Sequence, residues 1–456
     1  MEARSNVVGT MDYKISPNYA WVVALGAFLT QVLLVFSLSI LAINLGEISL
    51  DWGIDEGTLG ILSSCMGLTY GLFGFFWGYL MDRIGSRWTV TAASFVIALA
   101  IIAFGVFADG TAIGCVIMAV MGVGVAGTDT AVLPKLGADW FAPSKRGLAM
   151  GVFASGGGIG GFVVGIIAGQ LAQDFGWRFS FIGIGLVCLV MAILVALLIR
   201  NTPASMGTVP FGSPKGTKVA PVPEKEGQRK ANGKIIVAAL KNPVTYKYGA
   251  VMSLWYFWYM VYTAYFVVSL QGAGFDVATA AMAYSLVCLS SALSNFIWSP
   301  LTDKFGRKSV FIFVMACEGL VIIALFLLLR TGSLDTALVY VMSFLMGLFV
   351  ASTPIMESSL GEHYTPEMRG TGAGVVSTIS CIGRFFGPLL AGVVITATGN
   401  VQTSLVFAGV SALVTALSIV VFVKKTGGKY GDPLAVAALK QVEASDGEGD
   451  LQLSDS

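Results

Sequence analysis

From Tyr19 to Leu45 the chain runs for 27 residues (45 − 19 + 1 = 27) without a charged side chain. In hydrocarbon every backbone N–H and C=O must be satisfied within its own segment, and a helix needs about 20 apolar residues to cross. The run also exceeds the apolar core of a signal peptide, about 7 to 15 residues, so it reads as a membrane helix that is retained. Eleven further stretches qualify, and the pattern predicts spans near 19–46, 57–80, 88–108, 111–136, 147–172, 177–200, 245–270, 277–300, 309–330, 335–361, 370–398 and 401–423. Composition closes off the soluble alternative, because 56% of the 456 residues are hydrophobic and 12% charged, too few polar side chains to cover a globule. The expected fold class is an all-α membrane protein with twelve transmembrane helices.

With the N-terminus in the cytoplasm, only Arg178 and Arg330 fall in outer loops and Arg384 falls mid-span, leaving 27 − 3 = 24 Lys and Arg in inner segments. The positive-inside rule predicts that orientation, with both termini cytoplasmic. The first outer loop is acidic instead, with Glu47, Asp51, Asp55 and Glu56. The domain layout that follows is a cytoplasmic N-terminus (1–18), a six-helix bundle (19–200), a cytoplasmic linker (201–244), a second six-helix bundle (245–423) and a cytoplasmic tail (424–456). Pro203, Pro210, Pro214, Pro221 and Pro223 mark the linker. The six cysteines all sit in apolar stretches, at no disulfide or metal-ligand spacing.

The two bundles repeat each other. An offset of 223 (362 − 139) carries Asp139 to Glu362, Arg146 to Arg369, Gly147 to Gly370, Gly151 to Gly374, Gly160 to Gly383 and Gly176 to Gly399. An offset of 221 (303 − 82) carries the loop Asp82-Arg83-Ile84-Gly85-Ser86-Arg87 to Asp303-Lys304-Phe305-Gly306-Arg307-Lys308. On these residues the chain resembles the major facilitator superfamily from Tyr19 to Val423. Gly78-Tyr79-Leu80-Met81-Asp82-Arg83-Ile84-Gly85-Ser86-Arg87 is similar to its signature between spans two and three, with Ser86 where a basic residue is usual. The acidic-x6-Arg spacing of Asp139 with Arg146, and of Glu362 with Arg369, matches its loops after spans four and ten.

The resemblance implies two pseudo-symmetric bundles and a cytoplasmic gate formed by Asp82, Arg87, Asp139, Arg146, Asp303, Arg307, Glu362 and Arg369. The alternative reading of the same residues is solvated loop charges that only set topology. A Gly-Pro pattern (Gly374, Gly383, Gly387, Pro388, Gly392, with Ala391 replacing a glycine) lies in span eleven, whereas exporters usually carry it in span five. Met118 stands where many members have a span-four arginine. The phrase Trp140 to Gly151, with Gly176-Trp177-Arg178, looks most like the bacterial organic-anion and monocarboxylate (oxalate-formate type) carriers of the inner membrane. Their activity implies secondary transport of a small organic anion by alternating access, coupled to protons or to anion exchange. Efflux of hydrophobic or cationic compounds is the alternative.

Arg384 is the central binding candidate. It falls at the midpoint of span eleven, (370 + 398)/2 = 384, where an arginine costs about 2.5–3.5 kcal/mol on insertion scales. Its counterpart in the repeat is Gly161 (384 − 223), so scaffold symmetry does not require it. A guanidinium facing a wet cavity suits forked binding of a carboxylate; the competing reading is a structural ion pair with Glu357 or Glu318. Asp129 and Glu357, on spans four and ten, are coupling candidates, and Asp129 has Lys135 or the loop arginines as alternative partners. On span seven Trp255, Tyr259 and Tyr262 share a face that fits either an apolar substrate body or ordinary packing. Gln31 and Asn44 are polar residues on span one, with Gln31 the substrate candidate.

No nucleotide-binding loop, metal cluster or nucleophilic triad is present in the sequence, so an enzyme, a cofactor and a metal are not expected. A net charge of +1 gives no reason to expect a nucleic-acid partner. The expected partners are a small organic anion, a proton or counter-anion and the lipid bilayer, with the protein acting as a monomer.

Overall fold

The computed structural model describes residues 16–129, 132–214, 217, 237–332, 335–350, 356, 359–360, 363–364 and 369–423; the side chains of Asp82, Asp303 and Arg369 lie outside that description. The first half contains α1 (Tyr19–Trp52), α2 (Glu56–Ile84), α3 (Ser86–Phe107), α4 (Thr111–Ala126), α5 (Val132–Trp140), α6 (Pro143–Phe175) and α7 (Trp177–Leu198). The second contains α8 (Pro243–Gln271), α9 (Val277–Phe305), α10 (Arg307–Thr331), α11 (Thr336–Gly347), α12 (Arg369–Ile379), α13 (Cys381–Thr398) and α14 (Thr403–Phe422). Ten described spans are long and apolar enough to cross a membrane, α12 and α13 counting as one, while α4 and α11 are shorter apolar helices in the fourth and tenth positions.

Local chemistry fixes the helix ends. Asp55, Asp276 and Asp335 cap α2, α9 and α11, their carboxylates accepting from the N–H of Thr58 (2.9 Å), Thr279 (2.9 Å) and Leu338 (2.8 Å). All three lie at one end of the bundle. At the other end, Gly85 (φ 87°) and Gly306 (φ 83°) turn α2 into α3 and α9 into α10. That backbone excludes a side chain without strain, so the loop motif and its repeat share one conformation for the same reason. We call this second end, with Arg83, Arg87, Lys304, Arg307 and Lys308, the basic end.

Span four is not the continuous helix expected over 111–136. It stops at Ala126 and resumes as α5 at Val132, and α11 likewise stops at Gly347. Carbonyls released at a helix end in apolar surroundings need donors from elsewhere. Trp77 of α2 donates its indole N–H to Val123 O (2.6 Å), and Trp298 of α9 donates to Leu348 O (2.6 Å). These tryptophans are 298 − 77 = 221 residues apart, the offset of the loop motif.

The halves meet along α2 with α13 and along α6 with α9. The α2 seam is cut for backbone approach: a methyl on Gly57 would sit 2.4 Å from Gly392 O, one on Gly67 2.5 Å from Arg384 O, and one on Gly71 2.2 Å from Cys381 Cβ. The α6 seam follows suit, with Gly158 against Ala292, Gly161 against Cys288 and Gly165 against Ser285. Toward the basic end both seams part, and a methyl on Gly74, Gly78, Gly147 or Gly151 would meet nothing within 4 Å. The conformation is therefore shut at the acidic-capped end and open at the basic end.

Two bonds across the shut end complete the closure. Thr396 of α13 donates to Asp55 (2.7 Å), and the hydroxyls of Ser39 on α1 and Tyr284 on α9 lie 2.9 Å apart. Outward faces carry exposed apolar side chains such as Val190, Leu197, Leu327 and Val421, as a lipid-facing surface requires. Part of the expected linker is packed: Phe211 donates its N–H to Trp140 O (2.9 Å), accepts from Ala142 N–H (3.0 Å), and sets its ring against Trp21 and Phe141.

Candidate functional site

The break after Ala126 places Asp129 in irregular backbone beside α2, where the Tyr70 hydroxyl donates to its carboxylate. Gln31 of α1 reaches the same segment, its Nε2–H donating to Thr128 O (3.4 Å). Lys135 and the loop arginines, the alternative partners for Asp129, are not what holds it: Tyr70 bonds it and the charge of Arg384 acts on it. Asn44 instead serves packing within the first half, donating to Ile40 O (2.8 Å) and to the Ser180 hydroxyl (3.2 Å).

Arg384 lies four residues past the interruption at Ser380 that separates α12 from α13, and it is fully buried at 0% exposure. Its guanidinium carbon stands 3.6 Å from the Tyr256 ring centroid on α8 and 4.0 Å from the Tyr70 centroid on α2. Nη1 donates to Ser377 O (3.3 Å), in the last turn before the interruption. Nε and Nη2 make no hydrogen bond of good geometry to a described residue. Each ring contributes about 2 kcal/mol when desolvated, enough to offset much of the insertion cost of the arginine. Among the described residues no carboxylate lies within ion-pair distance of it, so the pair with Glu318 does not form. Glu357, the other expected partner, lies outside the described residues.

The aromatic face of α8 divides into two. Trp255 stacks on Tyr259 (4.8 Å, 15°), and Trp255 also meets Tyr256 edge-on (4.8 Å, 87°), which joins that pair to the arginine. Tyr262 borders Tyr259 (6.4 Å, 55°) but stacks on Tyr284 of α9 (6.0 Å, 27°). Sequence reasoning missed Tyr70, Tyr256 and Ser377. Tyr256 stands in the aromatic run itself, but a face drawn at three-to-four-residue steps from Trp255 passes over it.

The loop residues occupy the open end. Arg146 donates Nη2–H to Ala138 O (3.2 Å), within the first half. Partial burial raises the pKa of Asp139 beside it from its ordinary value, with Lys135 and Arg146 pulling the other way. Arg87 donates its backbone N–H to the Asn201 side chain (3.0 Å) and Nε–H to Ala196 O (3.2 Å), tying α3 to the end of α7. Arg307 opens α10 directly after Gly306, and Arg369 opens α12. Glu362 and the side chains of Asp82, Asp303 and Arg369 lie outside the described residues.

Membrane-crossing helices, the fourth broken where Asp129 enters and the tenth interrupted after Gly347 to match, surround a buried cation walled by aromatic rings. That is the build of a polytopic solute transporter. The chain belongs to the Major Facilitator Superfamily, whose model matches residues 27–291 and 251–443. It is a transporter and not an enzyme. It is 23% identical over 423 residues to a hexuronate transporter of Bacillus subtilis, covering 89% of this chain and 95% of that one. It is 23% identical over 426 residues to a probable galactarate/D-glucarate transporter of the same organism, covering 88% and 91%. The crystal structure of a D-xylose-proton symporter superposes with a TM-score of 0.68 at 14% identity, over 90% of this chain and 99% of that one.

Proposed function

We propose that this protein is a secondary transporter that carries a small organic anion, a carboxylate, by alternating access across a bacterial inner membrane. The observation that carries the reading is Arg384: a buried guanidinium held between two ring faces, two of its nitrogens without a hydrogen bond of good geometry to a described residue. A carboxylate is the partner that this planar fork fits. The hexuronate and galactarate/D-glucarate transporters among its relatives are named for carboxylates. Trp255 and Tyr259 offer a stacking wall for the substrate body, and Gln31 a polar contact.

The basic end is the cytoplasmic one, which makes the conformation inward-open, with both termini inside. Segments 19–200 and 245–423 are the two rocking bodies, joined by 201–244. In the opposite state Asp82, Arg87, Asp139, Arg146, Asp303, Arg307, Glu362 and Arg369 close the cytoplasmic side. Asp129 and Glu357 are the coupling carboxylates. Protonation of Asp129 removes a negative charge that acts on Arg384, so proton and substrate anion enter the site in one charge-balanced step. Exchange of one anion for another is the alternative coupling.

Uptake into proteoliposomes, across labelled hexuronates, aldarates, monocarboxylates, sugars and organic cations, tests the proposal. Competition confined to carboxylates is the expected result. Competition confined to cations or neutral sugars overturns it.

A further inference from the structure

A second titratable group lies apart from the Arg384 centre. Glu318, at the middle of α10, has 0% exposure, and among the described residues neither of its carboxyl oxygens has a hydrogen-bond partner. The Tyr262 hydroxyl and the Trp258 indole N–H, one helical turn apart on α8, are also buried without a partner among the described residues, and Glu318 lies within electrostatic reach of Tyr262. Three orphaned polar groups in one half of a membrane protein call for an occupant.

Among the described residues no cation lies within ion-pair distance of Glu318 to neutralise it. Of the elements packed against α10, α14 comes close at Gly319 and Gly409, beside Glu318, and α14 has no ionisable residue. Of the titratable or charged residues on the others, α11 offers Tyr340, and α9 offers Tyr284 and Cys288, with Asp303 and Lys304 in its last turn at the basic end. On α8 the groups are Tyr256, Tyr259, Tyr262 and Tyr265, with Tyr246, Lys247 and Tyr248 in its first turns; on α10 itself Cys317 adjoins it, and the cations Arg307, Lys308 and Arg330 stand in the two end turns. A metal ion would need several anionic or imidazole ligands, and no such group of three exists among the described residues. The occupant that fits one carboxylate and a phenol is a proton.

The site is connected to the moving parts. Tyr262 stacks on Tyr284, and the Tyr284 hydroxyl meets Ser39 across the seam at the shut end. Tyr262 also borders Tyr259, and through it the Trp255 stack beside Arg384. We infer that Glu318, with Tyr262, is a second proton-binding site of this transporter, distinct from the Arg384–Asp129 centre, and that the Tyr284–Ser39 bond carries its occupancy to the closure. The step is simple: the carboxylate takes one proton from solvent and returns it when the closure opens. The inference rests on the chain being a secondary transporter, but not on what Arg384 binds.

Two substrate-free measurements on the full chain in lipid nanodiscs test it. Infrared difference spectra between low and high pH read protonated carboxyl groups in apolar surroundings, and hydrogen exchange over residues 53–62 and 388–399, corrected for the intrinsic effect of pH, reads the closure. Glu318→Gln should lose one carboxyl band that Asp129→Asn retains, and its closure should keep only the acid-side response that Asp55 supplies, losing the response at higher pH. Tyr284→Phe should keep the band yet lose the response. An unchanged band pattern in Glu318→Gln, or a closure response equal to wild type in Tyr284→Phe, overturns the inference. Failure to find a transported anion would strike the proposed substrate class and leave both readouts intact.

Discussion

The guanidinium of Arg384 stands over the ring of Tyr256 at 3.6 Å, and this face contact joins the two broken-backbone regions of the site to the aromatic helix between them. A cation held by π faces keeps its outward N–H groups for a ligand, whereas one held by a carboxylate spends them.

Substitutions at Arg384 separate ligand binding from structural pairing. Arg384→Lys retains charge but not the planar fork, and should weaken anion binding less than Arg384→Gln. Loss of a buried charged hydrogen bond costs about 2–5 kcal/mol, so the neutral variant should be nearly inactive. Binding to purified, folded protein is the measurement. Because Glu318 does not pair with Arg384, adding Glu318→Gln should not restore affinity; recovery in that double variant would sink the assignment.

Tyr256 lends itself to a graded test. Tyr256→Phe keeps the ring face and should leave anion affinity within a few-fold, while Tyr256→Leu removes it and should cost about 1–2 kcal/mol. Calorimetric titration of both variants reads the difference. Equal losses would mean that the hydroxyl and not the ring supports Arg384.

Glycines on α2 and α6 should divide by position. Gly60→Ala brings a methyl to 1.8 Å from the Tyr265 hydroxyl and 2.8 Å from Pro388 O, wedging the shut end open. Overpacking of this kind costs about 1–3 kcal/mol, enough to shift the conformational balance away from the state described here. Gly151→Ala meets nothing in this state, so it should leave the shut end intact and penalise only the opposite state. Hydrogen exchange at residues 53–62 should rise in the first variant and stay level or fall in the second.

Asp55 gives the closure an acid limit. Burial alone would raise its pKa, but hydrogen bonds from Thr58, Thr396 and Gly57 outweigh that and hold it below the ordinary carboxylate value. Closure therefore draws on this bond throughout the neutral range and loses it as the pH falls through the lowered pKa. Asp55→Asn should weaken closure at neutral pH and flatten its response below the carboxylate range. Exchange protection over residues 388–399, followed against pH, checks both points.

Much of this architecture could be read in advance because it is written in single residues with large energetic consequences. Apolar runs, the paired loop motifs around Gly85 and Gly306, and a midplane arginine each leave a mark that burial in lipid makes unambiguous. The breaks in spans four and ten left none. Val123 to Leu136 stays apolar through the interruption except for Thr128, Asp129, Thr130 and Lys135, and the indoles that satisfy the freed carbonyls come from 46 and 50 residues away in sequence. Tyr70 was hidden for a related reason: a tyrosine within an apolar helix looks like packing until the backbone break brings a carboxylate to its hydroxyl.

Helix α2 bears the Asp129 partner Tyr70, the Trp77 that braces the broken span, and the glycine row that meets α13. Three unrelated demands thus fall on successive turns of one helix, and hardly any of its inward face is left free to vary. A lineage acquiring a new substrate would find its room for change on α8, where Trp255 and Tyr259 stack on one another beside the arginine. Divergence among relatives of different specificity should therefore concentrate there, with α2 the most slowly changing wall of the cavity.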